Sequence, residues 1–326
     1  MIKKATVFVL GASASLPYGY PSGETLVTEI VDELQSKASL FELCRQLEFT
    51  ERDIISFAES LNRSGDKSID AFLERNAGFI RLGKIAITLK LIEKEDEDFL
   101  FSPGDDKWYG HLVNELKSAS VETFSNNVSF LTFNYDRSFD HYLFNSIMSS
   151  YEEIKDSAMC AEMVKKIPLI HLHGQIGKLP WQECQGIDRP YSKSTPSSDL
   201  LKRALLAGVD WIDLSQARHF MFDISNQIKI IHEKELDNDS GFQEAKKLLS
   251  KANNIYFLGF GYHDDNLRRL NIAGLSPAVK RHIDGTSYGV GAAKKRHINS
   301  VTKGKINLSD RNYKIIEFLK ESVDFE

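Results

Sequence analysis

Four short segments, far apart in the chain, carry residues able to do chemistry, and each follows a run rich in Val, Ile, Leu or Phe. In Thr132-Phe133-Asn134-Tyr135-Asp136 the Asn134 amide both donates and accepts, so it can orient a water or a sugar hydroxyl. In Ile170-His171-Leu172-His173-Gly174 an imidazole can take a proton, and the glycine lets the chain turn so that His173 stands at a sheet edge as a general base. Gly11-Ala12-Ser13-Ala14-Ser15 is a turn of small residues whose backbone can approach a pyrophosphate, with a helix N-terminus expected behind it. Gly259-Phe260-Gly261 is a second such turn, followed by Asp265 and Asn266, either of which can bind a ribose hydroxyl. Ligands in an open α/β sheet bind beyond the carboxyl ends of the strands, so four such ends can converge on one dinucleotide pocket.

Each feature also has a plainer explanation. Small residues at a strand-to-helix turn serve packing, Asn is favoured where strands end, and Asp136, Asp265 or Asn266 can cap the helices that follow. His171 and His173 alternate, so on a strand both face one way. That spacing suits a metal pair, but no third ligand is suitably placed, and the carboxylates near Gly261 lack metal-loop spacing.

The elements that must position these residues follow from apolar periodicity. Residues 5–10, Asn127 to Phe133, Ile167 to Leu172 and Asn254 to Leu258 predict buried strands, and Thr286 to Val290 a short fifth. Helical spacing runs from Thr25 to Leu34, through Asp53 to Leu61 and Ile69 to Ile80, and again at Ser138 to Ile147. Leu200 to Leu206, Ile212 to Ile231, Phe242 to Leu249 and Asp265 to Leu270 are further helical stretches, with a last helix capped by Ser309. The charge run Lys94 to Asp98 predicts an exposed helix end or loop, and Gln175 to Ser198 a loop. The whole predicts one α/β domain over 1–326: a parallel sheet with helices on both faces. Its sheet core comes from about 1–30, 126–175 and 252–326, and helical insertions at about 31–125 and 176–251 form a lobe over the carboxyl edge.

Composition narrows the class. The 326 residues carry a formal net charge of −5, which argues against a general nucleic-acid-binding surface; Lys294-Lys295-Arg296-His297 is a solvated surface cluster. Cys44, Cys160 and Cys184 are odd in number with no CxxC pair, which supports neither a zinc site nor a disulfide framework and suits a reducing, cytoplasmic compartment. Lys3-Lys4 and the apolar run to Leu10 have the outline of a signal peptide. Cleavage there would remove the first glycine turn, so the run is read as a strand. No later apolar run is long enough to span a bilayer.

The ordered set resembles the sirtuin family. Gly11 to Ser15 with Gly19-Tyr20-Pro21 is similar to the sirtuin glycine loop, with Ser13 where a glycine is usual; Thr132 to Asp136 is similar to its Thr-Gln-Asn-Ile-Asp segment. Leu172-His173-Gly174 matches its Leu-His-Gly, and Gly259-Phe260-Gly261 stands where sirtuins carry Gly-Thr-Ser. The resemblance implies a Rossmann-like sheet, with Asn134 and His173 catalytic. It implies NAD held by Gly11, Ala12, Ser13, Ser15, Thr132, Asp136, Gly259, Gly261, Asp265 and Asn266. It covers the sheet and its turns, not the helical insertions. The zinc cysteines of protein-deacylating sirtuins are missing, Ser22-Gly23 replaces their Phe-Arg, and no Phe-Gly-Glu follows Gly174. In those losses the chain resembles prokaryotic sirtuin-like proteins of antiphage defence. That group implies an NAD hydrolase releasing nicotinamide and ADP-ribose, without zinc. It also implies a homo-oligomer, or action beside an ATPase or a nucleic-acid sensor, off the membrane. A deacylase, an ADP-ribosyltransferase and a non-catalytic NAD or ADP-ribose sensor are the alternatives.

Overall fold

The computed structural model describes residues 2–117, 127–182, 188–192, 214–230, 239–278 and 280–325. Six strands form one sheet: β1 (Thr6–Leu10), β2 (Val128–Thr132), β3 (Leu169–His171), β4 (Asn254–Leu258), β5 (His282–Gly285) and β6 (Asn307–Leu308). Their order is β3-β2-β1-β4-β5-β6 and every pairing is parallel, a Rossmann-like arrangement. The chain leaves β1 to one side for β2 and returns on the other side as β4. The crevice beyond the ends of β1 and β4 is therefore the topological switch point, where ligands of such sheets bind.

Register decides what meets there. Leu10 pairs with Thr132 on one side and Leu258 on the other, so β1, β2 and β4 end level. Thr132 in turn pairs with His171. Asn134 and His173 each lie two residues past that last pair, which puts the amide and the imidazole side by side in the chain path.

Both faces of the sheet are buried, as alternation along β1 requires. Phe8 and Leu10 join one core with Phe130 and Tyr256, while Val7 and Val9 join another with Leu131 and Phe257. The first core runs without a break into the helices before β2: α1 (Gly23–Gln35), α2 (Ser39–Gln46), α3 (Glu51–Ser64), α4 (Ile69–Arg75), α5 (Ile80–Glu93), α6 (Glu97–Phe101) and α7 (Tyr109–Leu116). It also takes in α8 (Ser138–Met148) and α9 (Ser157–Val164), which connect β2 to β3, and α10 (Leu214–Asn226). The second core lies under α11 (Ser240–Lys251), α12 (Asp264–Arg269) and α13 (Ala292–Val301). The last helix, α14 (Ile315–Ser322), returns to the first face. Helix α5 is buried almost all round, which marks it as the centre of the helical layer. Side-chain caps at Ser22, Thr50, Ser68 and Asp96 start α1, α3, α4 and α6.

Four expectations change. The helical run from Ile69 to Ile80 is broken after Arg75, where Asn76 leaves helical geometry before α5 begins. The fifth strand is His282–Gly285 and not Thr286 to Val290, which folds into a turn closed by Val290 N–H on Ser287 O (3.0 Å), with Gly289 at φ +70°. The last helix is capped around Lys314, with the Glu317 carboxylate accepting from the Lys314 N–H at 2.8 Å; the Ser309 hydroxyl accepts from the Arg311 N–H in the turn before it. The charge run Lys94 to Asp98 is not simply exposed, because Glu95 lies in the interior. Leu200 to Leu206, Cys184 and the ends of the Ile212 to Ile231 stretch lie outside the described residues. Among the described residues no helix is long and apolar enough to cross a membrane.

Candidate functional site

The two glycine turns touch each other. A Cβ on Gly11 would fall 2.6 Å from Phe260 Cα, and a Cβ on Gly259, which sits at φ +58°, would fall 2.3 Å from Ala14 N. Side chains are excluded at both positions by the neighbouring turn itself. The first turn also uses its own N–H groups: Ser13 donates to Gly259 O, Ala14 to Gly11 O and Ser15 to Ala12 O, at 3.1, 2.8 and 3.3 Å. A helix does not follow directly, as the sequence suggested. Short 3-10 turns at Ala12–Ala14 and Leu16–Tyr18 intervene, and α1 begins only at Gly23. The loop is anchored from the helical insertion. Trp108 Nε1 donates to Ala14 O at 2.9 Å, and the Tyr18 hydroxyl accepts from the N–H groups of Trp108 and Tyr109 at 2.8 and 2.6 Å.

Between these turns and the helical insertion lies a cleft of about 380 Å³, within the usual size range of small-molecule sites. Asn134, Asp136 and His173 line it together. So do Gly11, Ala12, Ser13, Gly259, Gly261 and Asn266. Its opposite wall includes Tyr20, Pro21 and the start of α1, with Ile69 and Leu91 from the insertion. Three of the residues singled out in the sequence are not in the wall. Ser15 and Thr132 are buried behind Asn134, holding its amide and its backbone N–H, while Asp265 lies on the outer side of α12 beside Arg268. Asn266, the next residue, faces the cleft in its place.

The Asn134 amide has a defined orientation. Its Nδ2 donates to Ser15 Oγ at 3.0 Å, and the Ser15 hydroxyl donates its one proton to the Asp136 carboxylate. Oδ1 is thereby left as a buried acceptor without a protein partner among the described residues, in a side chain only 9 % exposed. Asn266 Oδ1 is a second such acceptor in the same wall. Burying an amide oxygen without a hydrogen bond is costly, so the pair marks a surface awaiting donors such as hydroxyls or water. Asp136 also accepts from Ser138 Oγ and Ser138 N–H at 2.5 and 3.1 Å, combining the capping and the polar roles. Burial raises its carboxyl above the ordinary range, against the hydrogen bonds from Ser138 and Ser15 that pull it down.

The His173 ring sits among Phe133 and Phe242, at centroid distances of 5.1 and 5.8 Å. Its carbonyl accepts from Lys229 N–H at 2.8 Å, so the segment after α10 presses on it from behind. The turn at Gly174 is as the sequence required: φ is +73°, and a Cβ there would stand 1.9 Å from Gln227 O. Gly174→Ala is expected to lose at least about 1–3 kcal/mol of stability through strain and backbone collision, read as a lowered thermal midpoint. His171 does not pair with His173; it turns away from the cleft, to Asp140 and the Asn134 carbonyl.

A buried ion cluster supports the cleft and was hidden in the sequence. Glu95, fully buried, accepts from Arg137 at 2.7 Å and from Arg189 at 2.7 Å. Arg137 further donates to the carbonyls of Lys178, Arg189 and Pro190. Lys178 and residues 189–190 are thus fastened against the loop that carries Asn134, and Tyr191 hydrogen-bonds the cleft residue Tyr20 hydroxyl to hydroxyl at 2.7 Å. Only the bare charge run signalled Glu95, and nothing local signals a carboxylate shared by arginines so far along the chain.

A smaller cavity of about 230 Å³ lies on the β5 side of the paired turns and shares Ser13, Gly259 and Phe260 with the cleft. Thr286, Tyr288, Val290 and Tyr313 are among its other walls, with Asp106 and Lys314. Other chemistries find less support. Burial pushes the Cys44 thiol up to about 12 and Cys160 up to about 11, which keeps both from forming thiolates. Among the described residues no group of three His, Cys, Asp or Glu side chains is placed to hold a metal ion. In comparison with known proteins, the chain matches no family model and no curated protein.

Proposed function

We propose that this protein binds NAD at the switch point and hydrolyses its nicotinamide–ribose bond. The observation that carries the reading is that Asn134 and His173 line one cleft, with Asn134 Oδ1 oriented as an unsatisfied acceptor by Ser15 and Asp136. The cleft and the cavity that adjoins it across Ser13, Gly259 and Phe260 offer two neighbouring compartments, one suited to the ribose and nicotinamide and one to the adenosine end. Asn266 Oδ1 is suited to accept from a ribose hydroxyl, and the N-terminus of α1, at Ser22 and Gly23, is suited to the phosphates in place of the first turn.

Cleavage of this bond returns the bonding electron pair to the pyridinium ring and leaves positive charge on the ribose, as in glycoside hydrolysis. The leaving group is already cationic, so no strong general acid is required. Asn134 Oδ1 accepts from the attacking water or from a ribose hydroxyl, and His173 takes the proton released as the new C–O bond forms. Asp136 acts through Ser15, polarising the amide so that its oxygen faces the developing positive charge. Burial destabilises the Asp136 charge, because a carboxyl whose folded pKa is raised weakens the fold above that value and relieves the penalty as pH falls through it. Asp136→Asn removes the buried charge but sets an amide NH2 against the Ser15 or Ser138 donors, so it is expected to lower the melting temperature modestly while lowering turnover about tenfold.

The test is incubation with NAD alone over a range of protein concentrations, following nicotinamide. Release without any acyl-lysine peptide or protein acceptor supports hydrolysis. Release that requires such a partner supports a deacylase or transferase, and tight binding without turnover supports a sensor. A rate that rises steeply with protein concentration would support control by self-assembly, which a cytoplasmic NAD hydrolase needs if its host is to survive; control by an ATPase or nucleic-acid-sensing partner is the other form of that restraint.

A further inference from the structure

His171 ends β3 and its ring is consumed by two acceptors. Nδ1 lies 3.0 Å from the Asn134 carbonyl oxygen, and Nε2 lies 3.0 and 3.1 Å from the two oxygens of Asp140. A carbonyl can only accept and an ionised carboxylate can only accept, so beside an ionised Asp140 both ring nitrogens donate, and only the imidazolium has two N–H groups. The site suits a cation. The side chains of His171 and Asp140 are 6 and 2 % exposed, Asp140 stands in the first turn of α8, and Gln182 Nε2 donates to its Oδ1 at 2.8 Å.

We infer that His171 is a positioning residue for NAD cleavage: a buried imidazolium, held by Asp140, that clamps the Asn134 carbonyl and so fixes the distance between Asn134 and His173. The inference rests on the proposed hydrolysis. It follows from register, because Thr132 and His171 are paired and the two acting residues each lie two positions beyond them. The clamp joins the strand exits between two backbone bonds, Leu172 N–H to Thr132 O at 2.9 Å and Ile176 N–H to Tyr135 O at 3.0 Å. Its charge also reaches Asp136, drawing that carboxyl down against the effect of burial. His171 itself has no nitrogen left to act as a base.

Two measurements on the full chain test this. In protein labelled with 15N-histidine, with His171 assigned by its loss in His171→Asn, both ring nitrogens are expected to carry protons at neutral pH. A neutral tautomer would overturn the inference whether or not the protein turns over NAD. In nicotinamide-release kinetics, Asp140→Asn and His171→Asn are expected to lower kcat about 10- to 100-fold with KM for NAD near the wild-type value. Asp140→Asn is isosteric and guards against simple loss of folding, which a thermal melt checks. Unchanged kcat, or a change confined to KM, would overturn the inference while leaving the hydrolase reading intact; an inert wild type would overturn the hydrolase reading and with it the positioning role, even if the ring is doubly protonated.

Discussion

Asn134→Ala is expected to lower nicotinamide release by about 10²- to 10³-fold, the cost of removing one preorganised polar group from a water-poor site. His173→Ala is expected to cost about 10²- to 10⁴-fold as the loss of a general base. The double variant should be scarcely worse than the poorer single one, because residues that act as a unit are not additive. NAD affinity, measured by calorimetry, should change far less, since the paired turns, Asn266 and the second cavity remain. Folding should also survive: Asn134 is a wall residue whose loss frees Ser15 Oγ, and the Asp136–Ser138 contacts that start α8 stay in place. Turnover near wild type in both single variants would end the hydrolase reading.

Glu95→Ala carries the largest expected structural effect, a loss of about 3–5 kcal/mol, or failure to fold, because it strands buried arginine charges. Arg137 and Arg189 are 0 and 1 % exposed, and the Glu95 carboxylate is their common partner. Carbonyl groups satisfy part of Arg137, but they cannot balance two cations. Urea unfolding at neutral pH measures the loss. Burial alone would raise the Glu95 carboxyl, but the two guanidinium groups outweigh it and hold it below the ordinary carboxylate range. Its contribution is therefore complete above the unfolded-chain value of about 4.3 and fades as pH falls through the lower folded value. Wild type and Glu95→Gln should differ in stability at neutral pH and converge only in strong acid.

The strand ends were legible because each joins a buried apolar run to a residue with a turn preference. Gly11, Asn134, His173 and Gly259 all stand where a strand stops, and the parallel register does the rest. The roles of the small residues were less legible. Gly11 and Gly259 read as room for a ligand, but each first makes room for the other turn. Asp265 and Asn266 could not be separated, since which of two adjacent residues faces a cleft depends on how α12 is rotated. Ser15, Asp136 and Tyr109 form one polar path only after long stretches of chain come together, and no local pattern announces it. Glu95 was obscured for the same reason: four charged neighbours make a solvated run, and only distant arginines draw one of them inward. The fifth strand was displaced because His282-Ile283-Asp284-Gly285 mixes polar with apolar residues, and a strand flanked on its outer side only by the two-residue β6 tolerates what β1 or β4 would not.

The first strand lies at the middle of the sheet although it leads the sequence, and its glycine turn is braced by a turn made about two hundred and fifty residues later. A ribosome must therefore pass Gly259 before the pocket can form at all. Truncated products and stalled nascent chains that stop short of Gly259 would lack one wall of the cleft. The order of synthesis therefore sets when the cleft can first bind anything.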